Sequence, residues 1–259
     1  MTPKEKEDWE KTTEAKLFIS NNYYHHHAYE IIHTHKNLKQ DLTNCLNAKI
    51  AVTPRIKKTG KKESRGIKAD GLNKEIRNLL ENKLNAEVKL EVNEERGVFY
   101  FSNEKSTIGG FDFAILDHEQ NLNSLRNICF GELQYFQGQE RWSKFLKKNP
   151  DLVEIAKNIK QNGTLGVDFK KSKQKDSPLI VGEIQFGNWA LAYRDFFKVL
   201  KANVQNSIDC LIYIVPTGDL EIMLSDGIVT YTKTVKIIED FLKVISVPVW
   251  VIGIDIENS

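Results

Sequence analysis

The last third of the chain alternates between short apolar runs and amphipathic stretches, and this order restricts the fold more than any other feature. The strand candidates are 165–169, 179–186, 210–215 and 248–254, and the helix candidates between them are 188–204 and 233–245. Strands separated by helices in this order are typical of one sheet covered by helices on its faces. We therefore predict an α/β fold with a central mixed β-sheet flanked by helices.

The first half of the chain has weaker patterns. The spacing of apolar residues predicts helices at 3–19, 23–48 and 73–84, a loop at 55–68, and strands near 86–101, 111–116 and 127–136. The 259 residues, 41% of them hydrophobic, can bury a large core. We therefore predict a single domain over residues 1–259, either continuous or with an insertion.

Composition excludes several classes of protein. The three cysteines are far apart and form no CxxC pair, which excludes a disulfide framework and a cysteine zinc site. No apolar run approaches the roughly 20 residues that cross a bilayer. The first residues are polar and lack the apolar core of a signal peptide. We expect a reduced, cytoplasmic protein that does not contact membranes.

The most specific side-chain pattern lies in the strand candidate at 179–186. Glu183 and Gln185 are two residues apart, so they project from the same side of a strand. Asp168, from a neighbouring strand candidate, would complete a set of oxygen ligands such as Mg²⁺ prefers. A metal ion held there would activate water and stabilise the charge on a phosphate under attack.

The alternative is that Glu183 and Gln185 form the exposed face of an ordinary edge strand. The strand begins Leu-Ile-Val and precedes a strongly apolar helix, which favours a central position. In a central strand an acid and an amide lose hydration, at a cost that a cation or hydrogen bonds must offset.

Basic residues are concentrated in two stretches although the net charge is only +2. Residues 55–68 contain seven basic residues and one acid, and four lysines occur within 170–175. Either stretch is compatible with a solvated face. The second stretch lies between the predicted site residues, where cations would attract a nucleic-acid backbone. We predict DNA contacts from two groups of side chains: Lys58, Lys61, Lys62, Arg65, and Lys171, Lys173, Asn188.

Two other groups of residues invite a functional interpretation. The histidines at 25, 26, 27, 33 and 35 contain no pair at the i, i+4 spacing of a helical zinc site, so a polar helix surface is favoured. The aromatic residues at 189, 193, 196 and 197 have helical spacing, which favours core packing over base stacking.

The segment Glu183–Lys198 resembles the active-site strand and following helix of the BglII/BstYI group of type II restriction endonucleases, within the PD-(D/E)xK nuclease superfamily. Residues 20–32, 66–83, 208–216, 226–231 and 247–254 also resemble parts of that group. The resemblance implies a restriction-endonuclease-like core and Mg²⁺-dependent, sequence-specific cleavage of double-stranded DNA. It also implies a homodimer acting on a short palindromic site. A GATC-centred sequence is a weaker implication.

The resemblance also implies roles for individual residues. Asp168 would be the first metal-binding acid, Glu183 the second, and the backbone carbonyl of Ile184 a ligand between them. Gln185 would occupy the position where most of the superfamily has lysine, a substitution typical of this group. Glutamine carries no charge and cannot act as a base, but it can orient the attacking water.

Two departures from the group affect these predictions. The separation between Asp168 and Glu183 is longer than in the group, and residues 94–148 form a predicted insertion, or inserted subdomain. Within it, Asp112, Glu132 and Gln134 imitate the site pattern. We favour Asp168, Glu183 and Gln185, because only this set precedes the helix that resembles the family.

Two alternatives to a restriction enzyme remain open. One is a DNA-binding module on a nuclease scaffold without catalysis, and the other is a structure-specific repair nuclease. The sequence has no glycine-rich loop of the GxxxxGK[ST] or GxGxxG type, so we expect no nucleotide cofactor.

Overall fold

A computed structural model describes residues 1–35, 37–60, 62–92, 110–130, 137–162, 178–204 and 208–257. Its strands are β1 (Glu14–His25), β2 (Lys49–Ala51), β3 (Pro54–Thr59), β4 (Lys62–Ile67), β5 (Val88–Val92), β6 (Phe111–Ile115), β7 (Ile180–Ile184), β8 (Cys210–Pro216) and β9 (Val249–Glu257). Its helices are α1 (Pro3–Glu10), α2 (Ala28–Thr34), α3 (Leu38–Leu46), α4 (Ala69–Lys83), α5 (His118–Phe130), α6 (Gly138–Lys148), α7 (Val153–Asn162), α8 (Ala190–Val204), α9 (Gly218–Met223) and α10 (Tyr231–Asp240).

Seven strands form one mixed sheet in the order β2-β1-β9-β8-β7-β6-β5. The neighbours β7, β8 and β9 are parallel, and the other pairs are antiparallel. Parallel neighbours need a crossover, and α8 between β7 and β8 and the pair α9 and α10 between β8 and β9 supply it. The predicted fold, a mixed sheet flanked by helices, is confirmed.

The strand β8 explains why the sheet is covered on both faces. All seven of its residues are buried. Ile212 and Ile214 belong to one hydrophobic cluster together with residues of α3 and α4, whereas Leu211 and Tyr213 belong to a second cluster with residues of α8 and α10. A strand that is apolar on both faces must lie between two layers. The site residues of β7, next to β8, are therefore positioned between helices.

The predicted N-terminal helices are wrong in part. Only α1 of the range 3–19 is helical, and Thr2 and Glu5 start it with a capping box. The twelve residues Glu14–His25 form β1, which pairs with β2 and with β9. The predicted helix 23–48 is likewise the end of β1 followed by α2 and α3. Pairing with β9 along most of β1 outweighs the weak helical periodicity of this segment.

The basic stretch predicted as a loop is a two-stranded hairpin, β3–β4, with Pro54 opposite Ile67. Gly60 has φ 62° at the turn, a conformation that suits glycine. The base of the hairpin is attached to α1, because the Trp9 indole donates to the carbonyls of Arg55 and Gly66. No strand was predicted here, because charged residues on both faces of the hairpin remove the alternation of apolar and polar residues.

The predicted strand 127–136 is also wrong where the structure describes it, because residues up to 130 belong to α5. The predicted insertion 94–148 includes β6, which pairs with β7 in the main sheet, as well as α5 and α6. The helices α5, α6 and α7 share a small apolar cluster of their own. None of the helices in the described part of the chain has the length and hydropathy to span a membrane.

Candidate active site

Glu183 and Gln185 lie at the carboxyl end of β7, on the side of the sheet that α8 covers. β7 is hydrogen-bonded to β6 on one side and to β8 on the other, so it is the central strand that the sequence predicted. Glu183 is 5% exposed and Gln185 8% exposed. Both polar side chains therefore need partners inside the protein, and α8 provides them.

Lys198 of α8 is the partner of Glu183. The Lys198 ammonium contacts Glu183 Oε1 and donates to the Gly110 carbonyl at 2.8 Å. It also lies 4.6 Å from the centre of the Phe111 ring. Burial raises the pKa of Glu183 to about 8 against the opposing effect of Lys198, and the nearby charges of Asp112 and Asp195 raise it further.

Asp195 of α8 is the partner of Gln185. The Gln185 amide donates through Nε2 to Asp195 Oδ2 at 2.7 Å and accepts at Oε1 from the Gly187 backbone N–H at 2.9 Å. The Tyr213 hydroxyl of β8 donates to the same Asp195 oxygen at 3.1 Å. The glutamine amide is therefore fixed in one orientation by hydrogen bonds at both ends.

Asp112 of β6 is the acid that the structure places beside this strand. Phe113 pairs with Gly182, which brings Asp112 next to Glu183. Asp112 Oδ2 accepts from the Ile184 backbone N–H at 2.7 Å, and Oδ1 accepts from Arg77 of α4 at 2.6 Å. The Asp112 side chain is 19% exposed, so it is more accessible than Glu183.

The carbonyl of Ile184 faces a pocket between α4 and the end of β7. It accepts a hydrogen bond from Asn73 Nδ2 at 3.2 Å. The pocket has a volume of about 520 Å³. Its lining includes Asp70, Asn73, Lys74 and Arg77 of α4, and Ile184 to Gly187 of the strand end.

The oxygen donors at the end of β7 and on β6 beside it fit a hard divalent cation. Two carboxylates, Asp112 and Glu183, and one backbone carbonyl, that of Ile184, lie on adjacent strands, and all three supply oxygen. Burial is the largest cause of the raised pKa of Glu183, and the charge of Asp112 raises it further. A cation bound by both acids would offset the repulsion between their like charges. Among the described residues, no group of three or more His, Cys, Asp or Glu side chains is arranged to hold a metal ion.

Asp168, the first acid in the sequence prediction, lies outside the described residues, and so do Glu132 and Gln134 of the look-alike set. Asp112 belongs to the look-alike set, and it lies beside Glu183 of the favoured set. The two sets therefore meet at this position. The prediction for Asp168 stays a prediction.

The predicted DNA-binding residues fall in three places. Lys58, Lys62 and Arg65 are exposed on the hairpin, where Lys58 Nζ lies 3.6 Å from Glu63 and Arg65 lies over the Trp9 ring. Asn188 precedes α8, and its Oδ1 accepts from the Ala190 backbone N–H at 2.9 Å. The remaining three, Lys61, Lys171 and Lys173, lie outside the described residues.

Two secondary predictions need correction. His25 is not on a polar helix surface but at the end of β1, where its ring is buried and bonded to the Ile245 carbonyl. Of the aromatic residues on α8, Phe196 is buried as predicted, but Phe197 is 66% exposed and Trp189, just before the helix, 46% exposed. Neither of these two side chains belongs to the buried core.

Sequence reasoning missed Asp195 as a site residue, and for Lys198 it considered only phosphate or solvent as partners, whereas both side chains are buried. They are three residues apart on the face of α8 that also carries the buried residues Ala192, Phe196 and Val199. Charges on an otherwise apolar helix face are rarely buried without partners, and this was the signal that could have found them.

The chain matches a known protein family over most of its length. Residues 21–254 match the family described as restriction endonuclease BglII/BglIII. The chain belongs to this family. As a member of the BglII/BglIII family it is a restriction endonuclease, a site-specific deoxyribonuclease, and this confirms the class of enzyme that the sequence predicted.

One similar solved structure is described as restriction endonuclease BglII complexed with a DNA 16-mer. It is 13% identical, with a TM-score of 0.46, and the match covers 92% of this chain and 75% of that one. A search of curated proteins found no match.

Proposed function

We propose that this BglII/BglIII-family chain hydrolyses phosphodiester bonds at a short specific sequence in double-stranded DNA, in a reaction that requires Mg²⁺. The observation that carries the proposal is the arrangement at the end of β7. There Asp112 of the neighbouring strand lies opposite Glu183 and accepts from the Ile184 N–H, and Ile184 lines an open pocket. Oxygen donors on adjacent strand ends are the ligands that a Mg²⁺ ion needs.

In this proposal Glu183 and the carbonyl of Ile184 are two of the metal ligands. Asp112 is proposed as the first metal-binding acid, because its carboxylate is beside Glu183 and partly accessible. Asp168 remains the alternative, or an additional ligand. When bound, the Mg²⁺ ion would supply Lewis-acid activation of water and neutralise charge on the phosphate.

Gln185 has the role of an orienting group. Its amide cannot take a proton from water near neutral pH, so it does not replace a general base. The bonds to Asp195 and to the Gly187 N–H leave one N–H and one oxygen lone pair of the amide for other partners. A water molecule held by these groups would be oriented by the protein rather than activated by it.

The basic hairpin β3–β4 would hold the DNA backbone in this proposal. Lys58, Lys62 and Arg65 are exposed there, and phosphate contacts of this kind position a duplex without reading its sequence. Asn188, Lys61, Lys171 and Lys173 are proposed as further contacts. A homodimer would match a palindromic site, because two-fold symmetry in the protein corresponds to two-fold symmetry in the DNA.

The first test is cleavage of plasmid and genomic DNA by the full chain and by Glu183→Ala. We expect the wild type to give defined fragments with Mg²⁺ and none with EDTA. Removing a metal ligand should lower the cleavage rate about 10³-fold, the scale of losing one preorganised electrostatic group. Glu132→Ala is the control, and it should cleave like the wild type.

Undiminished cleavage by Glu183→Ala would contradict the proposed site. Specific binding to DNA without cutting at any Mg²⁺ concentration would favour a non-catalytic module. Cleavage that depends on DNA structure but not on sequence would favour a repair nuclease.

The second test assigns the first acid. Asp112→Asn and Asp168→Asn change one carboxylate each and keep the size of the side chain. We expect Asp112→Asn to lose cleavage about 10³-fold and Asp168→Asn to retain it. The opposite result would assign the role to Asp168, loss in both would place both acids in the site, and full activity in both would contradict a two-acid site.

A further inference from the structure

The buried side of the site contains a cation that the proposed reaction does not use. Lys198 is one of the few buried basic side chains in the described part of the chain; its side chain is 6% exposed, as is that of Glu183. The strand itself carries no positive charge beside Glu183, since Gln185 is neutral. The charge beside Glu183 comes instead from α8, through Lys198.

The contact between Lys198 and Glu183 would have to change when a divalent cation binds Glu183. Its ammonium contacts Glu183 Oε1, one of the two oxygens that a metal ion would bind. An ammonium and a divalent cation repel each other, and at such short distances in a buried site the repulsion is weakly screened. The two cations therefore compete for the same carboxylate.

Lys198 also has other partners that could hold it once Glu183 is taken. Its Nζ donates to the Gly110 carbonyl at 2.8 Å and lies 3.6 Å from Asp195 Oδ1. Asp195 is fully buried and its other oxygen accepts from Gln185 and Tyr213. An ammonium that leaves Glu183 would thus remain beside a second buried carboxylate, without an unpaired charge in the core.

We propose that Lys198 is a positioning residue that holds Glu183 in the cation-free enzyme and competes with the divalent cation for it. Lys198 then determines how much Mg²⁺ the site needs. This inference rests on the proposed function, because it assumes that Glu183 binds the metal ion. It assigns a role to a buried helix residue that is not one of the proposed metal ligands.

The experiment measures Mg²⁺ binding to the full chain by calorimetry, together with thermal unfolding with and without Mg²⁺. The variant is Lys198→Met, which keeps the length of the side chain and removes its charge. The titrations are carried out at alkaline pH, so that a proton does not replace Lys198 on Glu183. Lys16→Met is the control, because Lys16 of β1 pairs with Glu257 of β9 at 2.9 Å and both side chains are exposed.

Lys198→Met should bind Mg²⁺ about tenfold more tightly than the wild type, a typical size for coupling between two sites. Without Mg²⁺ its unfolding temperature should fall, since Glu183 loses its partner, and Mg²⁺ should raise that temperature more than in the wild type. Lys16→Met should match the wild type in Mg²⁺ affinity. If Lys198→Met does not fold, Lys198→Gln replaces it, because glutamine keeps a hydrogen-bond donor. The same results are expected for Lys198→Gln.

A folded Lys198 variant that binds Mg²⁺ no more tightly than the wild type overturns the inference. Glu183→Gln separates this failure from failure of the proposed function. If Glu183→Gln abolishes Mg²⁺ binding and Lys198→Met does not strengthen it, the proposed metal site stands and only the role of Lys198 is wrong. If the wild type and Glu183→Gln bind Mg²⁺ equally, or neither binds it, both the site and this inference are wrong.

Discussion

The two sides of β7 differ in how tightly they hold their polar groups. Toward α8, the side chains of Glu183 and Gln185 are buried and each has a partner on that helix, Lys198 or Asp195. Toward α4, Asp112 is partly exposed and bonded to Arg77, which lines a pocket of about 520 Å³. The closed side is thus a preformed network, and the open side is where a cation and a phosphate can enter. Apart from Glu183, the proposed metal ligand, substitutions on the closed side should act mainly on stability, and those on the open side on cleavage.

The largest effect on stability is expected from Asp195→Ala on the closed side. This change leaves the Gln185 amide and the Tyr213 hydroxyl buried without an acceptor and removes a charge beside Lys198. Breaking a buried charged network typically costs about 3–5 kcal/mol in free energy of unfolding. Urea denaturation of the wild type and the variant measures the difference. A loss below about 1 kcal/mol would show that the network contributes little.

A smaller effect is expected from Gly182→Ala, at the seam between the two sides. An added Cβ would lie 2.0 Å from the Phe113 ring of β6, so the ring or the strand must move. Overpacking of this kind typically costs about 1–3 kcal/mol, and it should also lower cleavage by moving Asp112. The control is Gly71→Ala on α4, where the nearest atom is 3.1 Å away and the change should stay below about 1 kcal/mol. Unchanged stability and cleavage in Gly182→Ala would argue against close pairing of β6 and β7.

Tyr213→Phe tests a single bond of the closed network. The phenol donates to Asp195 Oδ2 at 3.1 Å, and Asp195 keeps its bond to Gln185 when the hydroxyl is removed. We expect a loss of about 1 kcal/mol, the usual net value of one hydrogen bond. Burial, and then the charge of Asp195, raises the pKa of Tyr213 well above its usual range, so the effect should not change from neutral to mildly alkaline pH. Urea denaturation at two pH values measures both expectations.

Arg77→Met on the open side should have the smallest effect on stability. Arg77 is 23% exposed and pairs with Asp112 and with the more exposed Glu91. Pairs of this exposure contribute about 1 kcal/mol or less. Because Arg77 orients Asp112, cleavage should nevertheless fall about tenfold or more, as for other groups that position a metal ligand. A large loss of stability with normal cleavage would reverse the contrast between the two sides.

Part of the site was predictable because it lies within one strand. Glu183 and Gln185 share a face of β7 through the two-residue repeat of a strand, and the apolar run around them predicted a central position. The partner strand was not predictable in the same way. Asp112 is 71 positions away from Glu183, and only the antiparallel pairing of β6 with β7 brings them together. The N-terminal strand β1 was missed for a related reason, since its pairing with β9 joins opposite ends of the chain.

By itself, the sequence determined the class of fold, the family and the acidic strand β7, because each depends on periodicity or on a contiguous motif. The tertiary structure decided which groups surround that strand. Lys198 and Asp195 face it because α8 packs against β7 after a short connection, and Asp112 adjoins it because β6 is its neighbour in the sheet. A local pattern specifies which side chains share a face, but the packing of distant segments specifies which charges meet there.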